Sequence, residues 1–220
     1  VWVELVYEAR SLSRLSLALL NDDPQLCRRI SRLTIGFAHA LVGRLRARDV
    51  EQAIRPWLDP EHAQRLGQRH HSADQLLTLI ASELAAPLRA GQLDPYLFGQ
   101  FEARLHAMSA VQAACERIVT TPLPFAYTLL MHRCAWLFCV LLPFGLASSL
   151  GWATPVVSVV LAYTFFGLDQ LGAEMEDPFG LQPNDLPLDA LLRALEIDLL
   201  DAIGESPLPQ PLLPKDYLLQ

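Results

Sequence analysis

The chain has 220 residues, of which 52% are hydrophobic and 19% are charged, and its formal net charge is −7. Soluble domains carry about 25% charged residues, so this composition disfavours one or two ordinary soluble domains, the default for this length. The large apolar fraction excludes a disordered chain. With 11 Gly and 4 Cys, collagen-like chains and disulfide scaffolds are excluded as well.

The first part of the chain carries apolar residues at helical spacing. Residues 2–20 and 25–48 each place leucines and other large apolar residues three or four positions apart, which predicts amphipathic helices. The predicted stripes are Leu5, Leu12, Leu15 and Leu19 in the first segment, and Leu26, Ile30, Leu33, Phe37 and Leu41 in the second. Because alternating strand patterns are almost absent, the predicted fold class is all-α.

Further helices are predicted from start signals and turn residues. Asp22 or Asp23, followed by Pro24, predicts the beginning of the second helix. Two shorter helices are predicted at 60–67 and 73–85. A long helix is predicted from Asp94 to about Val119, and a short amphipathic helix at about 188–203.

The hydrophobic excess is concentrated in one run. From Cys134 to Leu168 there is no Asp, Glu, Lys or Arg. A membrane-spanning helix needs about 20 apolar residues, so this run predicts two spans with a tight connection. Gly, Ser and Pro mark that connection between 148 and 155, which places the spans at 124–148 and 154–171. The alternative is a buried helical hairpin of a soluble protein.

These patterns divide the chain into three parts, namely a cytosolic helical region at 1–119, a transmembrane hairpin at 120–172 and an acidic cytosolic segment with a proline-rich tail at 173–220. The hairpin turn is uncharged, whereas Arg104, Arg117 and Arg133 lie on the other side of the hairpin. Because basic residues favour the cytoplasm, the turn is expected to face outside. Residues 1–118 contain 14 basic and 13 acidic residues, and residues 119–220 contain 3 and 11.

Catalytic and metal-binding motifs are absent from the sequence. There is no GxGxxG, P-loop, GxSxG, HExxH or CxxC. His62, His70 and His71 could suggest a metal site, but adjacent histidines on a helix point in different directions. A solvated surface is therefore the preferred interpretation of these histidines. We expect neither an enzyme nor a cofactor, and the sequence leaves any metal unknown.

Three segments resemble one family. WVELVYEARSLSR (Trp2 to Arg14), TPLPFAYTLLMHR (Thr121 to Arg133) and EMEDPFGLQPNDLPL (Glu174 to Leu188) are similar to segments of the bestrophins, in particular of the prokaryotic bestrophin-like membrane proteins. Members of that family begin with two further membrane spans, the second of which contributes an apolar neck. Since this sequence begins at Val1 inside a predicted helix, we expect a fragment that lacks those spans.

The resemblance implies a homopentameric ion channel with one axial pore and a cytosolic constriction made by one apolar side chain per subunit. Alignment on Asp94-Pro95 and Pro122–Thr128 places this constriction on Leu105, with Phe101 or Met108 as the next candidates. Such a ring would act by dewetting the pore. The alternative is that Leu105 packs within the helix bundle, since i, i+4 spacing suits a core equally well.

The animal members carry a calcium-binding clasp rich in consecutive aspartates. The matching positions here are Glu174, Asp177, Gln182 and Asp185, but the acidic run is absent. The bacterial relatives look cation-conducting, and the acidic C-terminal region is compatible with a cation-attracting vestibule. The predicted function is therefore passive conduction of monovalent ions, with a preference for sodium-type cations, across the bilayer of a bacterial inner membrane. An anion (chloride) channel and a non-conducting membrane scaffold are the alternatives, and no nucleic-acid partner is expected.

Overall fold

The computed structural model describes residues 1–20, 22–66, 72–121, 124–174 and 177–214. Within these ranges the chain forms α-helices, short 3-10 turns and loops but no strand, which confirms the all-α prediction. The helices are α1 (Trp2–Leu19), α2 (Pro24–Leu45), α3 (Val50–Ile54), α4 (Pro60–Leu66), α5 (Ser72–Arg89), α6 (Pro95–Thr120), α7 (Phe125–Leu150), α8 (Thr154–Glu174) and α9 (Leu188–Ala202). They form two units, Val1–Arg117 with Leu186–Gln220, and Ile118–Asp185.

Helix α2 is the centre of the first unit, where it contacts α1, α3, α5 and α9. It begins as predicted, because the Asp23 carboxylate accepts a hydrogen bond from the Leu26 backbone N–H at 2.9 Å and Pro24 occupies the first turn. All five members of the predicted α2 stripe are at most 4% exposed. Burying each such side chain stabilises the fold by roughly 1.5–3 kcal/mol, so this stripe forms the core of the unit.

A close backbone approach at Gly43 lets the chain turn back after α2. A Cβ atom at this position would lie only 3.0 Å from Val50 Cγ2. The absence of a side chain therefore allows α3 to pack directly against the end of α2. Between them, Ala47 adopts a positive φ of 50°.

Helix α9 packs on α1 and α2, although more than 140 residues separate it from them in the sequence. Its buried side recurs at helical spacing through Leu188, Leu192, Leu195 and Leu199. Residues 173–220 are predicted from the sequence as a separate segment, whereas residues from Leu186 onward belong to the same unit as the first helices. Burial of the leucine stripe accounts for this difference.

The second unit is a helical hairpin. Helices α7 and α8 pack against each other and are joined by a 3-10 turn, Gly151–Ala153, in which Gly151 has a φ of 49°. The ring centroids of Phe138 and Phe165 lie 5.0 Å apart, and those of Trp136 and Phe166 lie 5.2 Å apart. These distances are typical of edge-to-face aromatic packing between two helices.

The surface of this hairpin is apolar. The helical segment Leu129–Gly172 has 44 residues, is long and apolar enough to cross a membrane, and its most apolar window is 0% buried. Large side chains such as Phe144, Trp152 and Tyr163 are strongly exposed. The core hairpin of a soluble protein would bury such residues, so this exposure favours the membrane hairpin over the soluble alternative.

Candidate functional site

The three candidate constriction residues lie on one buried face of α6. Phe101 is 0% exposed, Leu105 is 4% exposed and Met108 is 0% exposed in the isolated chain. A pore on the axis of an oligomer lies outside the single subunit, so a pore-lining side chain should be exposed there. This burial favours the packing alternative, and the constriction at Leu105 stays a prediction.

Polar contacts fix that face of α6 against α1 and α2. The Arg104 guanidinium lies 3.0 Å from the nearly buried carboxylate of Glu8 on α1. Arg44 on α2 pairs with Glu116 at 3.3 Å. Since these pairs flank the apolar residues of α6, they hold the helix in the orientation that buries Leu105.

The four clasp-like positions lie in and beside the loop after α8. The Asp185 carboxylate accepts a hydrogen bond from the Gln182 backbone N–H at 2.6 Å. A Cβ on Gly180 would lie 2.5 Å from Asp185 Oδ2 and 3.6 Å from Asp177 Oδ2, so a side chain at this position would displace the Asp185 carboxylate. The Glu174 carboxylate accepts from the side-chain amide of Asn184 at 2.8 Å.

The hydrogen bonds accepted by these carboxylates hold the loop after α8 in its folded form. Among the described residues, no group of three or more His, Cys, Asp or Glu side chains is arranged to hold a metal ion. Asp185 and Glu174 instead accept hydrogen bonds from the loop itself. Calcium binding at these positions stays a prediction.

A set of ion pairs that sequence reasoning missed joins the C-terminal segment to the first helices. Acidic residues in or directly after α9 face arginines and one histidine on α1, on α2 and in the loop after α2. The pairs are Asp198 with Arg10, Glu205 with Arg28 and Arg32, Glu196 with His39, and Asp189 with Arg46 and Arg48. Four acids of the C-terminal region, whose negative balance is compatible with a cation-attracting vestibule, are therefore used within the subunit.

Arg46, which pairs with Asp189, is the most buried side chain of this set. The Arg46 side chain is 2% exposed, and its Nη1 lies 2.7 Å from Asp189 Oδ2. Arg46 also donates to the Leu186 carbonyl, and Arg48 donates to both carboxylate oxygens at 2.8 and 2.9 Å. Burial raises the pKa of Asp189, but the hydrogen bonds and charges of Arg48 and Arg46 outweigh burial and lower it below the ordinary value.

A second buried cluster corrects the interpretation of His62. His62 is predicted from the sequence to lie on a solvated surface, but it is only 3% exposed. Its Nε2 lies 3.1 Å from Glu83 Oε1, and the other Glu83 oxygen accepts from Arg29 at 2.8 Å. The surface prediction was wrong because α4 and α5 pack together around this residue. Residues 70 and 71 lie outside the described ranges.

The carboxylates of Glu83 and Asp189 predict how the stability of the fold depends on pH. Burial raises the pKa of Glu83, but hydrogen bonds from His62 and Arg29 outweigh it, so the pKa is lowered, as it is for Asp189. A lowered folded-state pKa contributes stability above the unfolded-state pKa and loses it as pH falls through the folded value. We expect the unfolding temperature to fall between about pH 5 and about pH 3.

Thermal unfolding followed over this range checks the expectation, with Glu83→Gln as the matched variant. The variant should be less stable at neutral pH and should lose less on acidification. If the wild-type unfolding temperature were constant down to about pH 3, the assignment of these carboxylates as stabilising anions would be contradicted.

Comparison with known proteins identifies the family. The family model described as "Bacterial/Fungal Bestrophin protein" matches residues 1–201. The chain belongs to the bestrophin family. This match covers both units of the fold, including α9, whose end at Ala202 lies one residue beyond it.

Similar bestrophins are bacterial. A voltage-dependent anion channel-forming protein of Mesorhizobium japonicum is 44% identical over 207 residues, which cover 94% of this chain and 66% of the relative. The corresponding protein YneE of Escherichia coli is 44% identical over 214 residues, covering 97% and 70%. The chain thus spans about two thirds of the length of these curated relatives.

A solved structure has the same fold. The bacterial bestrophin homologue from Klebsiella pneumoniae superposes with a TM-score of 0.88 at 36% identity, covering 94% of this chain and 77% of that chain. The related proteins are named as channels rather than enzymes, in agreement with a sequence that lacks catalytic motifs. Bestrophin membership also agrees with the exposed apolar surface of the α7–α8 hairpin.

Proposed function

We propose that this chain forms part of an ion-channel subunit that conducts passively through an axial pore of a homopentamer. The observation that carries the proposal is its 44% identity to channel-forming bestrophins over nearly the whole chain. The exposed α7–α8 hairpin supports insertion in a bilayer, for which we propose the bacterial inner membrane with the helical unit on the cytoplasmic side. The ring of five is what the family resemblance implies.

Ion selectivity is the part of this proposal on which two observations differ. The negative balance of the C-terminal region favours cations, as the sequence analysis predicts. The names of the relatives favour anions. The ion pairs of Asp189, Glu196, Asp198 and Glu205 weaken the electrostatic support for cations, because paired acids project little net field. We therefore propose an ion channel whose sign of selectivity is decided by the reversal potential.

A planar-bilayer recording under a salt gradient tests conduction and selectivity together. We expect the purified full-length protein to give discrete currents whose reversal potential lies toward the cation or the anion equilibrium potential, and its sign decides between the two. Protein-free detergent is the control. A pure pentamer that inserts without any current would overturn the channel proposal in favour of the scaffold alternative.

The oligomeric state needs its own measurement. Light scattering or native mass spectrometry of the full-length protein in mild detergent should give five subunits. A dimer would contradict an axial pore built by this fold, because an axial pore requires a closed ring of subunits.

A further inference from the structure

Three polar side chains form a hydrogen-bonded chain at the end of the hairpin remote from its turn. The indole N–H of Trp136 donates to Nε2 of His132 at 3.1 Å. The opposite ring nitrogen, Nδ1 of His132, lies 2.9 Å from Asp169 Oδ2 on α8. The Phe166 ring packs edge-on against both rings, at 6.3 and 5.2 Å between centroids. This cluster connects α7 to α8 through one imidazole.

The partners determine where the imidazole proton resides. An indole N–H is a donor only, so Nε2 of His132 has to accept and carries no proton. In a neutral ring the proton is then on Nδ1, from which it is donated to Asp169. The Trp136–His132–Asp169 chain is therefore complete only while His132 is neutral.

Protonation of His132 breaks the series of hydrogen bonds from Trp136 to Asp169. The imidazolium carries a proton on each nitrogen, so Nε2 becomes a donor that faces the indole N–H of Trp136. That hydrogen bond is lost, whereas the bond to Asp169 becomes a charge-assisted pair. A protonated His132 would thus free the Trp136 indole and hold Asp169 more strongly, which would strengthen the contact between α7 and α8.

We propose that Trp136, His132 and Asp169 form a proton-operated latch between α7 and α8. Histidine is the side chain that ordinarily changes charge between about pH 5 and about pH 8. The His132 side chain is half-exposed in the isolated chain and lies in the part of α7 remote from the hairpin turn. The proposal rests on the hairpin geometry alone and is independent of whether the protein conducts.

The charged groups of this unit near His132 include one carboxylate that contacts it. Asp169 is the acid that contacts it from α8, the helix packed against α7. Arg133 follows it on α7 and is exposed, about 100° further around the helix. Glu174, one turn beyond Asp169, is occupied by the Asn184 amide. Among the described residues of this unit, Asp169 is thus the acid placed to respond directly to His132.

Two variants test the latch, one that holds it closed and one that holds it open. In His132→Gln, the amide oxygen can accept from Trp136 while the amide N–H donates to Asp169, so the latch is closed and no longer contains an imidazole. In Trp136→Phe, the ring contact with Phe166 is kept, but the donor is removed, so the latch is open at every pH. Both variants keep a side chain of similar shape, which limits unrelated effects on folding.

The test is the indole N–H resonance of the full-length protein labelled with [15N]Trp in detergent, recorded between about pH 5.5 and about pH 7.5. The Trp136 resonance is the one that Trp136→Phe removes. In the wild type we expect it to move on acidification to the position of an unbonded indole, with the bonded population falling by a factor of about 5 or more. In His132→Gln it should stay at the bonded position.

Two results would overturn the latch. One is a Trp136 resonance that does not change with pH in the wild type. The other is a resonance that moves equally in His132→Gln, because the titrating group would then not be His132. If the protein conducts, its current in the same pH range should follow the same pattern, with Trp136→Phe at neutral pH resembling the acidified wild type.

Discussion

Replacing Asp189 with Ala is expected to destabilise the protein by about 3 kcal/mol, or roughly 6–12 °C in unfolding temperature. The substitution leaves the Arg46 guanidinium, which is 2% exposed, without the carboxylate at 2.7 Å. The Leu186 carbonyl still accepts from Arg46, so the expected loss lies at the low end for a broken buried pair. Thermal unfolding of the purified full-length protein at neutral pH measures it.

Asp198→Ala is the matched control, because Asp198 lies on the same helix and pairs with Arg10 at the surface. Exposed ion pairs contribute about 0–1 kcal/mol, so this variant should unfold close to the wild-type temperature. Equal losses in the two variants would contradict the distinction between them and would point to a general dependence of α9 on its negative charge.

A double substitution separates the cost of an unpaired charge from the value of the pair. In Arg46→Met with Asp189→Leu, both charges are removed and the space is filled with apolar groups. Such replacements of buried pairs are often neutral, so much of the stability lost in Asp189→Ala should return. Arg48 keeps access to water in this variant because its side chain is 43% exposed.

Much of the fold could be predicted because local patterns determine which residues form a helix and which face is apolar. The stripe from Leu26 to Leu41 and the N-cap Asp23 were both confirmed. The charge-free run from Cys134 to Leu168 predicted the hairpin, and its helices begin and end within three residues of the predicted positions. In each case the signal lies within a single element or between two adjacent ones.

The relations between distant elements could not be predicted in the same way. The leucine stripe of α9 indicates that one face is buried, but the pattern does not say which helices cover it. The same is true of the ion pair between Asp189 and Arg46, whose partners are 143 residues apart. His62 is a similar case, because its burial depends on the packing of α4 on α5. Charge balance over a whole region also hides the pairing of individual acids.

The positions of the latch residues could have been related from the sequence, although no motif marks them. His132 and Trp136 are four residues apart, so they lie on one face of a predicted helix. Asp169 ends the charge-free run and is the first acid after the hairpin turn. An antiparallel hairpin centred near residue 151 brings positions 132 and 169 to the same level, and this arithmetic could have suggested the pair.

Leu105, the candidate constriction residue, also shows that a sequence pattern does not identify the neighbours of a residue. Spacing of i, i+4 from Phe101 to Leu105 defines a helix face, and a face that lines a pore has the same pattern as one that lines a core. Only the neighbours of Leu105 distinguish the two. In the isolated chain this face is covered by the subunit's own residues, which predicts a loss of stability on truncation.

We therefore expect Leu105→Ala to destabilise the subunit by about 2–5 kcal/mol through the cavity that it leaves. The single-channel conductance of the protein that still assembles should be unchanged. His106→Ala is the matched control on α6, because His106 is exposed and its truncation should change stability by less than about 0.5 kcal/mol.

Leu105→Met keeps the experiment informative if the alanine variant fails to assemble. The substitution conserves volume and should cost less than about 1.5 kcal/mol, so the assembled channel can be recorded. A core role predicts wild-type conductance and selectivity for this variant. A clear change in either quantity, at wild-type stability, would instead place Leu105 on the ion path, since a side chain that lines the constriction acts on passing ions directly.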